Sequence, residues 1–134
     1  MKLFIIDDDQ LSIFLTKTVL GLEGFTQDIT PFLCAEEALA TLNSSPQANT
    51  PDVILLDLNM PGLDGWECLD ALAPLENMLA EKCKIYILTS SLDSSDADRV
   101  NDYPLVAGFI HKPINSEDIK TIVAQYQVKV GSIY

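Results

Sequence analysis

The sequence predicts an α/β domain with a parallel sheet covered by helices on both faces. Two observations carry this. Short apolar runs alternate along the chain with stretches of helical periodicity. The length, 134 residues with 48% hydrophobic side chains, suits one domain with a substantial core.

Leu3–Ile6 is a run of four apolar residues, fit for a buried strand. Leu11, Phe14, Leu15, Val19 and Leu22 then form a helical stripe, and Gly24 is a stop. Gln27–Phe32 reads as a second strand centred on Ile29. Pro31 lies inside it, which confines this strand to a sheet edge, where a missing N–H is tolerated. Ala35–Leu42 is a short helix, and Asn43–Pro51 a polar loop. Val53–Leu56 is the third and most apolar strand. Gly65–Ala80 is helical in pattern, but Pro74 must end or kink it. Ile85–Leu88 is the fourth strand. Ser94–Asp102 is a weak helix with few apolar anchors, followed by Pro104, and Val106–Ile110 is the fifth strand. Ser116 is expected to cap a last helix with Ile119, Ile122, Val123 and Tyr126 on one face.

Twenty acidic residues stand against eight basic ones, a formal net charge of −12. Nucleic-acid binding and attachment to an anionic membrane both call for a basic footprint, so neither is expected. Cys34, Cys68 and Cys83 are widely spaced, with no CxxC pattern, and read as buried reduced thiols. The start, MKLFIIDDDQ, turns acidic after four apolar residues, which is too short for a signal peptide. The cytoplasm is the expected location.

In parallel sheets the functional crevice lies at the carboxyl ends of the strands. Here those ends carry Asp7-Asp8-Asp9, Asp57, Thr89-Ser90-Ser91 and His111-Lys112-Pro113. Clustered carboxylates repel and need a cation or a proton. Oxygen ligands suit Mg²⁺. A lysine and a hydroxyl beside them can take up phosphoryl oxygens, and an aspartate can itself be the nucleophile. Taken singly, each residue has a plainer role. An aspartate after a strand caps the next helix, Thr89 is a turn residue, and Lys112 is a solvated charge. His111, the sole histidine, is expected to point outward. The joint occurrence, in this order, carries the functional reading.

The segments FIIDDD, ILLDLNMPGLDGWE, YILTSS and GFIHKPI together resemble the receiver domain of two-component response regulators, over nearly the whole chain. The resemblance implies a flavodoxin-like α/β fold with five parallel strands in order 2-1-3-4-5, and this order puts the Pro31 strand at an edge. It implies a receiver domain over 1–128 with a tail at 129–134. Asp57 would accept the phosphoryl group. Asp7 and Asp8 match the acidic pair that binds Mg²⁺, with Asp8 a direct ligand and Asp7 acting mostly through water. The triple aspartate leaves that register open, and Asp7 and Asp8 are taken because they directly follow the strand. Asn59 matches the position whose backbone carbonyl also binds the metal. Thr89 matches the switch hydroxyl, and Lys112 the lysine that pairs with the phosphorylated aspartate. Phe109 stands where an aromatic switch residue is found, without the hydroxyl of tyrosine. Asn59 and Ser91 lie where side chains can influence an attacking water. The Lys112-Pro113 peptide is expected to be cis.

The function so implied is a single-domain response regulator. A histidine kinase or histidine phosphotransfer protein donates the phosphoryl group to Asp57, and the signal leaves by protein contacts. No enzyme activity is expected beyond self-phosphorylation from a donor and self-dephosphorylation. The expected state is a monomer or weak dimer, and neither kinase nor target is named by the sequence. Three rivals were weighed. A haloacid-dehalogenase phosphatase would use Asp7-x-Asp9, but Leu11 stands where a Thr or Val belongs, and no late strand ends in an acidic pair. A calcium loop starting at Asp57 would need a glutamate where Cys68 lies. A receiver-like interaction module that is never phosphorylated would be expected to lack part of the acceptor site, and none is lacking.

Overall fold

The computed structural model describes residues 1–25, 28–44, 50–90 and 94–131. Five strands form one parallel sheet: β1 (Leu3–Ile6), β2 (Ile29–Phe32), β3 (Val53–Asp57), β4 (Lys84–Thr89) and β5 (Val106–His111). Their order is β2-β1-β3-β4-β5, as expected. In register, Ile5 lies between Pro31 and Leu55, and Asp57 lies beside Leu88. Pro31 is exposed on the edge strand.

Among the described residues, six α-helices cover the sheet: α1 (Gln10–Leu22), α2 (Ala35–Ser44), α3 (Gly65–Ala71), α4 (Glu76–Lys82), α5 (Ser94–Arg99) and α6 (Ser116–Gly131). Strand alternation splits the core in two. Leu3, Ile5, Val53, Leu55 and Leu88 face α1 and α6 through Ile13, Leu20, Ile119 and Ile122. Phe4, Ile6, Ile54, Leu56 and Ile87 face the opposite layer, which includes Ala38, Leu42, Trp66, Leu69 and Leu79. Each fully buried Leu or Ile contributes about 1.5–3 kcal/mol, so the central strands hold most of the hydrophobic stabilisation.

Several local expectations need correction. Most of the stripe read for α1 lies on its solvent face, while its Val19 packs against the core. Ile13, Thr16 and Leu20 are buried, while Leu11, Phe14, Leu15 and Leu22 are exposed. Apolar residues lie on both faces of this helix, and contact with the sheet selects Ile13 and Leu20. Asp28 takes a positive φ of 60° and precedes β2, and Gln27 lies outside the described residues. Pro74 does divide its helix, leaving a 3-10 turn at Ala73–Leu75 between α3 and α4. At the start of α6, Asn115 and Asp118 exchange hydrogen bonds at 3.0 and 2.9 Å, so the cap falls one residue before Ser116. Cys34 is half-buried, whereas Cys68 and Cys83 are buried. Burial, with the nearby charge of Glu36, pushes the Cys68 thiol up to about 12.

Gly24 ends α1 as expected. At φ 89° it lets Phe25 N–H donate to Leu20 O (2.8 Å) while its own N–H donates to Gly21 O (3.1 Å), a Schellman cap. A 3-10 turn at Val100–Asp102 follows the short α5.

Candidate functional site

The site forms where β1, β3, β4 and β5 end. Asp7 directly follows β1, and Asp57 and Thr89 are the last residues of β3 and β4. Lys112 directly follows β5 and is joined to Pro113 by a cis peptide, as expected. Asp7 is fully buried, Asp57 and Thr89 are nearly so, and Asp8 is exposed.

Lys112 bridges two carboxylates. Its Nζ lies 2.8 Å from Asp7 Oδ2 and 3.4 Å from Asp57 Oδ2. The other Asp7 oxygen accepts the Asp9 N–H at 3.0 Å, and Asp57 Oδ1 accepts the Asn59 N–H at 3.2 Å. Asp9 does not join the cluster. Its side chain caps α1 by accepting the Leu11 N–H at 3.0 Å. That division of labour explains three consecutive aspartates.

Asp7, Asp8 and Asp57 each offer one carboxylate oxygen, all within 4.8 Å of one another. Burial raises the Asp57 carboxyl to about 6, against the pull of Lys112 and the Asn59 N–H and with help from Asp7. Burial also pulls the Lys112 ammonium down, but its hydrogen bond to Asp7 and the charges of Asp57 and Asp7 outweigh this, and its pKa is raised. Three carboxylates against one ammonium form a site short of positive charge.

Thr89 O accepts the Lys112 N–H at 2.8 Å, fastening the lysine segment to β4. Phe109 is half-buried and pairs in register with Ile87, two residues before Thr89 on the same strand face. Asn59 and His111 are exposed. Ser91 lies outside the described residues.

Two features of the site went unread in the sequence. A Cβ on Gly65 would lie 2.7 Å from the Asp57 carbonyl oxygen, so α3 begins in backbone contact with Asp57. The glycine is visible in the DGW triplet, but its neighbour is not. The second is a cleft of about 410 Å³ beside Lys112, lined in part by Leu11, Leu15, Ser90 and Ile114. It continues onto the exposed apolar face of α1, which the periodicity assigned to the core.

The chain matches the family model for the response regulator receiver domain over residues 3–124. It is 28% identical over 130 residues to Hybrid signal transduction histidine kinase C of Dictyostelium discoideum, covering 94% of this chain and 10% of that protein. It is 32% identical to Transcriptional regulatory protein YvrH of Bacillus subtilis, covering 85% of this chain and 44% of that protein. It is 36% identical to Protein-glutamate methylesterase/protein-glutamine glutaminase 3 of Rhodospirillum rubrum, covering 84% of this chain and 28% of that protein. The chain thus spans less than half of each of these relatives. A two component response regulator from Cytophaga hutchinsonii superposes with a TM-score of 0.83 at 26% identity, covering 94% of this chain and 96% of that one. A response regulator receiver protein from Dyadobacter fermentans gives 0.82 at 26% identity, covering 95% and 98%. With the match running from β1 into α6, and the strand ends gathering aspartates, a lysine and a hydroxyl, the chain belongs to the response regulator receiver domain family.

Proposed function

We propose that this receiver domain accepts a phosphoryl group on Asp57 from the phosphohistidine of a histidine kinase or histidine phosphotransfer protein, and passes the signal on by protein contacts. The observation that carries this is Lys112 Nζ set between Asp7 and Asp57, with Asp57 at the end of a central strand. An Asp57 oxygen attacks phosphorus, the P–N bond breaks, and its electron pair leaves with the imidazole. Lys112 is placed to neutralise a phosphoryl oxygen, and Thr89 to donate its hydroxyl to another. Thr89 and Phe109 then carry the change toward β4 and β5.

The donor set fits Mg²⁺. Asp7, Asp8 and Asp57 offer hard oxygen ligands within reach of one ion, and the Asn59 backbone carbonyl would join them, as the resemblance implies. When bound, the ion supplies the positive charge that a transferring phosphoryl group needs. The same reading carries a cytoplasmic location, a monomeric or weakly dimeric state, a receiver boundary near 128, and no catalysis on other molecules by this domain. Asp7 suits a nucleophile less well than Asp57, because it is fully buried and Lys112 holds it at 2.8 Å, against 3.4 Å for Asp57.

Intact mass after incubation with acetyl phosphate tests the reading. A Mg²⁺-dependent phosphate adduct is expected in the wild type and in no Asp57→Asn sample. An adduct that survives Asp57→Asn and vanishes in Asp7→Asn would make Asp7 the nucleophile. No adduct, with no binding of Mg²⁺ or beryllofluoride, would leave an interaction module.

A further inference from the structure

Helix α5 lies at the surface. Among residues 95–99 none is buried, and the apolar anchors that follow are Val100, Tyr103 and Leu105. A cluster outside the phosphoacceptor site ties the end of α5 to α3. The Arg99 guanidinium lies 4.8 Å from the centroid of the Trp66 ring. The Tyr103 ring lies 5.3 Å from the same ring, tilted by 33°. The Tyr103 hydroxyl donates to Asp70 Oδ1 at 2.7 Å. Arg99 and Tyr103 flank the turn after α5, while Trp66 and Asp70 both belong to α3.

Helix α3 is in turn fixed to Asp57. Its first residue, Gly65, donates its N–H to Leu58 O at 3.0 Å and has no room for a Cβ against the Asp57 carbonyl. Asp64 and Glu67 lock the same turn by a reciprocal capping box. Trp66, the one tryptophan of the chain, is the next residue and is 6% exposed. A continuous path of contacts therefore runs from the Asp57 backbone through Trp66 to Arg99 and Tyr103.

We propose that Arg99, Trp66, Tyr103 and Asp70 form a clasp that holds the α5 segment on α3 and links its position to the state of Asp57. The linkage to Asp57 rests on the function proposed above; the clasp itself does not. All four are positioning residues, remote from the phosphoryl group. Cation–π and aromatic contacts of this kind, with a charge-assisted hydrogen bond, are the interactions that hold partly exposed segments in place.

The test is amide hydrogen exchange on the full chain, read for residues 94–103, in wild type, Arg99→Gln and Tyr103→Phe. Tyr103→Phe keeps the ring and removes only the hydroxyl, so it separates lost attachment from a failure to fold. Each variant is expected to exchange faster across 94–103, by roughly threefold or more, with β1 and β3 unchanged. Unchanged exchange there would overturn the clasp. Beryllofluoride binding with Mg²⁺ is measured on the same samples. Its affinity is expected to change roughly threefold in both variants. Faster exchange with unaltered beryllofluoride affinity would overturn the linkage. Wild type that fails to bind beryllofluoride would overturn the role of Asp57 and the linkage together, while exchange still decides the clasp.

Discussion

Lys112 holds Asp7 more closely than it holds Asp57, at 2.8 against 3.4 Å. The lysine neutralises the most deeply buried carboxylate and leaves Asp57 underserved. Lys112→Met removes this counter-charge and strands Asp7 in the interior. We expect a loss of about 2 kcal/mol in urea unfolding without Mg²⁺, below the roughly 3–5 typical of fully buried pairs because Lys112 is partly exposed. Added Mg²⁺ should restore much of the loss, since it supplies charge to the same oxygens. An equal loss with and without Mg²⁺ would show that Lys112 acts by packing alone.

Asp57→Asn should stabilise the metal-free protein near neutral pH. The Asp57 carboxyl stands near 6 in the fold against an ordinary 3.8. Below 3.8 the group is protonated in both states and weakens nothing. Between 3.8 and 6 the unfolded chain loses its proton first, so the folded state is progressively disfavoured. Above 6 the penalty is constant, at most about 3 kcal/mol. The gap between wild type and Asp57→Asn in urea midpoints should therefore open as pH rises from 4 to 7 and then level off. Mg²⁺ should narrow it.

Gly65→Ala should damage both fold and site. An added Cβ would meet the Asp57 carbonyl at 2.7 Å and Leu58 Cα at 2.8 Å, and both are backbone. Alanine gains about 1 kcal/mol of helix propensity over glycine, but overpacking against a fixed backbone costs about 1–3. A net drop in thermal midpoint is expected, together with slower phosphorylation from acetyl phosphate, because α3 must move off the Asp57 loop. A midpoint at or above wild type would mean that α3 shifts freely.

The strand ends were legible because a parallel sheet must present its carboxyl ends on one edge, whatever the details of packing. Asp7, Asp57, Thr89 and Lys112 needed only the position of each strand, and the apolar runs marked those positions. The face of α1 was not legible. Leu11, Phe14 and Leu15 make as good an apolar stripe as Ile13 and Leu20, and only contact with the sheet distinguishes them. The α6 cap was ambiguous for a similar reason, since Asn115 and Ser116 are both good capping residues. The contact of Trp66 with Tyr103 joins residues far apart in sequence, so no local pattern announces it.

The exposed apolar stripe of α1 is a candidate contact surface. Leu11 and Phe14 are 63% and 64% exposed, an apolar surface too open to serve the core. It adjoins the cleft that runs to Lys112, and hydrophobic surface of this kind marks contact with a partner. If the proposed function holds, a protein phosphodonor that docks on this face brings its histidine toward Asp57, whereas acetyl phosphate needs no such contact. Phe14→Ala should therefore lower kcat/KM for transfer from a phosphorylated protein donor by about tenfold, the scale of one aromatic anchor. Phosphorylation by acetyl phosphate should be unchanged, and stability should change little, because Phe14 is 64% exposed. Equal loss with both donors would place the effect in the site itself. Loss with neither would move the docking surface elsewhere.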